Sequence, residues 1–258
     1  ARLAASRRTK KSGGRVLCHP VAIKYLVHDP EFSESVDKLV IRLEHILGWK
    51  SLPPISLLER IRRIDEALIA LREIELGIPY DNSTAVHQRR IQLVEAMLSP
   101  LEQEWMGQSE PGADVSVRTK ALIQQIFPAL ARSEVSDAER AKRWRDLERI
   151  DIVQQLCRHP DRYIQQFPSR ERILETLENL EELLTGQVSK SVGLKAVIEV
   201  QPGIEIPAKK YREAGEDPCL NEIRQSIQQT LERLSREANL YQENNKCGNL
   251  QTDGDMTA

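Results

Sequence analysis

The groups in this sequence that could do chemistry are its histidines, its cysteines and two cationic features near the start. Histidine suits proton transfer near neutral pH, but a general base also needs a group to orient it and a nucleophile to serve. His19, His28, His45, His87 and His159 each stand alone. No GxSxG turn presents a serine, no HExxH helix presents a metal, and no Gly-rich loop cradles a phosphate. The histidines therefore read as surface or satisfied core residues. Cys18, Cys157, Cys219 and Cys247 are scattered without a CxxC pair, as reduced thiols are. Nothing in the sequence calls for a metal or a cofactor. Arg2, Arg7, Arg8, Lys10 and Lys11 precede Gly13-Gly14 with no acid among them. They suit the last turns of a helix stopped by glycine, or a patch resting on anionic headgroups. Lys24 closes the run Pro20-Val21-Ala22-Ile23-Lys24, where it could reach a phosphate or stand as a surface lysine at a sheet edge.

That run lies in residues 15–27, a Val-, Ile- and Leu-rich stretch bounded by Gly13-Gly14 and by His28-Asp29-Pro30. Its lack of polar alternation predicts a central strand covered on both faces. The next strand signal comes more than 160 residues later in the sequence, where Leu194, Ala196, Ile198 and Val200 alternate with polar neighbours, the pattern of a half-buried strand. Pro202-Gly203 is a turn, and 204–206 a short extended piece. The strands 15–27 and 194–200 are expected to pair, because an extended segment without a partner strands its backbone N–H and C=O groups. Ile23→Asp is then expected to unsettle both.

Between them every apolar stripe has helical spacing. Val36, Leu39, Val40, Leu43, Ile46 and Leu47 mark a first helix ended by Gly48. Leu57, Ile61, Ile64, Leu68 and Leu71 mark a second, and Ile91, Val94, Leu98, Leu101 and Trp105 a third that Pro100 should kink. These two read as an antiparallel hairpin. A fourth runs through Val117, Ala121, Leu122, Ile126 and Phe127. Ser136 and Glu139 form a capping box for a fifth, with Trp144, Leu147, Ile150, Val153 and Leu156. Its charges, Arg140, Lys142, Arg143 and Arg145 with Glu139, Asp146 and Glu148, read as a solvated face. Ser169 opens a sixth, with Ile173, Leu174, Leu177, Leu180 and Leu184. Asp217-Pro218 opens a last one through Leu220, Ile223, Ile227, Leu231 and Leu234. From 237 onward apolar residues are sparse, which predicts a disordered tail.

The chain has 258 residues, 37 of them basic and 39 acidic, for a net charge of −2. That charge argues against a nucleic-acid binder. No apolar run approaches the roughly 18–20 residues of a membrane span, and no signal peptide is read. The chain starts at Ala1 without methionine, as after trimming of an initiator or in a piece of a longer sequence. A cytoplasmic protein follows, with the inner face of the membrane open to its basic start.

His19-Pro20-Val21-Ala22-Ile23-Lys24-Tyr25 resembles the fourth conserved block of the phospholipid/glycerol acyltransferase superfamily, which includes 1-acylglycerol-3-phosphate acyltransferases. Leu58-Glu59-Arg60-Ile61, Pro100-Leu101-Glu102, Asp137-Ala138-Glu139-Arg140-Ala141 and Leu194-Lys195-Ala196-Val197-Ile198 are similar, in order, to a bacterial subgroup with a long helical C-terminal region. The resemblance implies transfer of a fatty acyl group from acyl-CoA or acyl carrier protein to a glycerophospholipid precursor. In that family a His-x-x-x-x-Asp motif supplies the general base, and a Phe-Pro-Glu-Gly block binds the acceptor phosphate. Here the residues five after each histidine are Lys24, Ser33, Lys50, Gln92 and Ile164, and the Phe-Pro pairs continue as Ala129 and Ser169. Both motifs normally precede the fourth block.

The expected architecture is therefore mainly α, a helical insertion bracketed by strands of an incomplete α/β acyltransferase domain. Residues 1–29 would be the last part of the α/β core, 30–190 the insertion, 191–236 the returning strands and helix, and 237–258 the tail. The chain alone is expected to be inactive, its partners acyl-CoA or acyl carrier protein and lysophospholipid reached through the whole enzyme. Pro20, Val21, Ala22, Ile23 and Lys24 would line the cleft of that enzyme as a substrate-binding strand, or serve only as core strand. The alternative is a helical module that docks a protein or an acyl carrier without catalysis.

Overall fold

The computed structural model describes residues 2–49, 55–132, 135–159, 163–189, 192–209 and 217–241. Helix dominates them. After α1 (Arg2–Ser12) and two strands come α2 (Phe32–Ile46), α3 (Leu57–Glu75), α4 (Val86–Met106), α5 (Val115–Ala131) and α6 (Asp137–Leu156), then α7 (Tyr163–Gln166) and α8 (Arg170–Thr185). Two further strands precede α9 (Pro218–Ser235).

The helix starts are chemical. Ser56, Ser136 and Ser169 accept from the N–H of Glu59, Glu139 and Arg172, and Asp114 and Asp217 cap α5 and α9 in the same way. Each satisfies an otherwise orphaned donor, worth about 1 kcal/mol. The box at Ser136 closes on one side only, because the Glu139 carboxylate turns to Arg143 Nε at 2.8 Å. Gly186 ends α8 at φ +70°, a left-handed cap that costs a glycine nothing. α4 and α5 run through Pro100 and Pro128 as single assigned helices.

Helices α2–α8 share one core, built on Leu39, Leu43, Ile64, Leu98, Ile126 and Leu177. The predicted stripes run past it in places: Ile46, Leu71, Ile91, Val117, Phe127 and Trp144 are exposed. Several charges that sequence alone puts in solvent are instead buried. Arg118 is enclosed and donates to both Glu102, from Nε at 2.8 Å, and Glu95, from Nη1 at 2.6 Å. Arg89 and Glu73 form a buried forked pair beneath the Tyr80 ring. Asp146, read as solvated, is buried and accepts from Trp105 Nε1 at 3.0 Å.

The strands form one bent two-stranded ribbon. β1 (Leu17–Cys18) runs antiparallel to β4 (Ile204–Glu205), and β2 (Val21–Val27) antiparallel to β3 (Leu194–Val200), with Ile23 opposite Ile198. The expected pairing of 15–27 with 194–200 is present. Pro20, which has no N–H to give, sits at the bend and accepts from Gln201 N–H at 2.8 Å. Across the bend, Gly203 lies so close to His19 that an added Cβ would come within 2.9 Å of the ring. α9 lies against β2 and β4. A second, small core joins Ala5, Ile206 and Cys219 to Val16, Cys18, Ile204 and Ile223. Val27 enters the main core and donates its N–H to Glu171 Oε1 at 2.9 Å, which ties the ribbon to the helices.

Two expectations fail here. The strand at 15–27 is not covered on both faces, since among the described residues the ribbon has no third strand and one face stays open. The predicted tail is also partly ordered. Asn239 C=O accepts from Arg170 N–H, Tyr241 N–H donates to Pro168 C=O, and the Tyr241 ring packs edge-on to Phe32. One aromatic anchor and a short bridge suffice there, despite the polar composition. The rest of the tail, 242–258, lies outside the described residues.

Candidate functional site

The fourth-block residues lie on the ribbon, and strand alternation sorts them. Pro20 and Ala22 are buried, and Lys24, on the Ala22 face, is half-buried. This face lies toward α9, whose Arg233 pairs with Glu199, the residue opposite Ala22. Val21 and Ile23 point the other way, with Tyr25. Their partners Val200, Ile198 and Ala196 share that outward face. Ile23 is 51% exposed, Ile198 64% and Val200 62%. The five candidates thus divide between an interior face and a bare apolar one.

Among the described residues no paired acid and base lies beside them. His19 Nδ1 lies 3.1 Å from the Gln201 carbonyl with its ring over Gly203, a structural position. Cys18, Cys157 and Cys219 carry free thiols. Burial pushes the thiols of Cys157 and Cys219 up from the ordinary value, which makes poor nucleophiles of them. Among the described residues no cluster of His, Cys, Asp and Glu could hold a metal ion. Cys247 lies outside them.

On α1, Arg2 is held by Asp217, while Arg7, Arg8, Lys10 and Lys11 lie on exposed positions. Among the described residues no helix is long and apolar enough to cross a membrane.

What the ribbon can do chemically is bury apolar surface and add strands at its unpaired edges. The open face was not legible in the sequence, because a run of apolar residues does not say how many faces its surroundings cover. The one signal was that a run this apolar had a single partner strand in reach. No protein-family model, no curated protein and no solved structure matches the chain.

Proposed function

We propose that this chain is the C-terminal portion of an acyltransferase that moves a fatty acyl group from acyl-CoA or acyl carrier protein to a glycerophospholipid precursor. The observation that carries the reading is the bare face formed by Val21, Ile23, Tyr25, Ile198 and Val200. A contiguous apolar sheet face left in water is a surface built to be covered. In this reading an α/β core bearing the His-x-x-x-x-Asp base covers it and adds strands to the ribbon edge. Pro20–Lys24 then border the cleft, and the helical body is an appended module. The exposed cations of α1 would rest against anionic headgroups at the cytoplasmic face of a membrane, near the lipid acceptor.

The test has two arms. The purified chain, given acyl-CoA or acyl carrier protein and lysophosphatidate, should show no turnover. The same chain expressed with the coding sequence upstream of Ala1 should contain a His-x-x-x-x-Asp motif and turn over. There Ile23→Asp should abolish activity, while the shorter chain tolerates it. Turnover by the chain alone, or upstream coding sequence without the motif, would overturn the reading.

A second reading, a docking module without catalysis, has one observation of its own. Leu220, Ile223, Ile227 and Leu231 line a shallow groove along α9, rimmed by Arg172 and Arg236. An acidic amphipathic segment would fit it. Turnover by the upstream-extended protein decides against it as the sole function.

A further inference from the structure

The register of the ribbon decides which backbone groups its strands turn outward. Gln201 N–H donates to Pro20 C=O at 2.8 Å and His28 N–H to Gly193 C=O at 3.0 Å, which marks both as hydrogen-bonded pairs. Bonded and non-bonded pairs alternate along an antiparallel ladder. Ala22–Glu199, Lys24–Val197 and Leu26–Lys195 therefore bond between the strands. Leu194, Ala196, Ile198 and Val200 turn their N–H and C=O groups to the outer edge of β3. Among the described residues no third strand and no hydrogen bond reaches that edge. We propose that a second copy of this chain pairs there, β3 against β3, antiparallel about a two-fold axis at Val197.

The sequence of β3 selects that register. With Val197 opposite itself, the whole strand Leu194–Val200 is matched, Leu194 to Val200 and Ala196 to Ile198. These are bonded pairs, and their four exposed apolar side chains extend the bare face. On the other face Lys195 stands opposite Glu199 on each side of the axis. Those pairs are non-bonded ones, in which opposed side chains come closest. Lys195 is exposed. Glu199 already accepts from Arg233 and Gln201, and its carboxylate has room for a further donor. Moving the axis by one residue, to Ala196 or Ile198, sets Val197 against Lys195 or Glu199 and shortens the ladder. Moving it by two, to Lys195 or Glu199, sets like charges against each other.

The edge has the character of a pairing site. It is seven residues long, carries no proline and is apolar on its open side. Proteins that keep a strand edge unpaired shorten it, charge it, bulge it or cover it. The outer edge of β2 differs, because the Val27 N–H that turns outward there is taken by Glu171. Strand addition supplies main-chain hydrogen bonds for affinity and side-chain pairing for specificity. A two-fold contact of this kind also closes on itself, so it stops at a dimer. A lone two-stranded ribbon is marginal in water, and pairing places it in a four-stranded sheet, two strands from each copy. The bare face stays open, so the dimer is independent of what covers that face in the acyltransferase reading.

Sedimentation equilibrium of the full chain, up to about 200 µM, should show a monomer–dimer equilibrium with a dissociation constant on the order of 10 µM, since one strand edge buries less than a standard interface. Lys195→Glu sets like charges together at both sites and should weaken the dimer at least about tenfold. Adding Glu199→Lys restores the opposition and should recover the dimer. Ala196→Pro removes an N–H that points outward, so it spares the ladder with β2, and it too should weaken association about tenfold. Circular dichroism should be unchanged in each. Val197→Cys should give a disulfide-linked dimer on mild oxidation, beyond any that the natural chain forms, because opposed Cα atoms of a non-bonded pair lie about 4.5 Å apart. A monomer at every concentration would overturn the proposal. So would a dimer that Lys195→Glu leaves intact, or one that the charge-swapped double variant fails to restore. Dissociation by Ile23→Asp in place of Lys195→Glu would put the contact on the bare face and overturn it as well.

Discussion

Glu73 and Arg89 illustrate what a single buried charge costs this protein. Both side chains are 3% exposed and answer each other. Glu73→Leu should lower unfolding free energy by about 3–5 kcal/mol, because Arg89 is left buried and unmatched. Adding Arg89→Met should recover most of it, a contrast that urea unfolding of both variants will read. Acid sensitivity belongs to the neighbouring network. Hydrogen bonds from Arg118 hold the carboxyls of Glu95 and Glu102 below their ordinary value of 4.5, against the opposing effect of burial. A depressed folded-state pKa contributes stability that is present above the unfolded value and lost as pH falls through the folded one. Unfolding free energy should therefore drop as pH falls below 4.5. In Arg118→Met that drop should shrink, since Glu95 and Glu102 lose the cation that held their carboxyls low. Neither network was legible in the sequence, where these residues look like ordinary polar-face charges.

Elements were far more legible. Helical periodicity and the caps at Ser136, Ser169 and Asp217 locate helices within a residue or two, because those signals are local. The pairing of β2 with β3 was also readable, since an extended segment needs a partner. Burial of β2 was not, and the mutational expectation changes with it. Ile23→Asp in this chain should cost under about 1 kcal/mol, as at other exposed strand positions. Ala22, 1% exposed, is the sensitive neighbour. Ala22→Asp puts a charge beneath α9 and should cost at least about 2 kcal/mol. Thermal unfolding of the two variants side by side checks the assignment of faces.

At the scale of the molecule, the two cores differ greatly in size. The helical core gathers side chains from α2 to α8, whereas the terminal one, among the described residues, is built on Ala5, Ile206 and Cys219. Stability should follow that division. In native-state hydrogen exchange, amides of α1, the ribbon and α9 should open at lower denaturant than those of α3, α4 and α8. Simultaneous opening would mean that the Val27 junction makes the parts one cooperative unit. The register of the ribbon also sets a timetable for synthesis. β2 leaves the ribosome roughly 170 residues ahead of β3, and at roughly 5–20 residues per second it waits on the order of ten seconds for its partner. Throughout that interval Val21, Ile23 and Tyr25 are available to chaperones and to other nascent chains, while the helices that will carry β3 back assemble behind them.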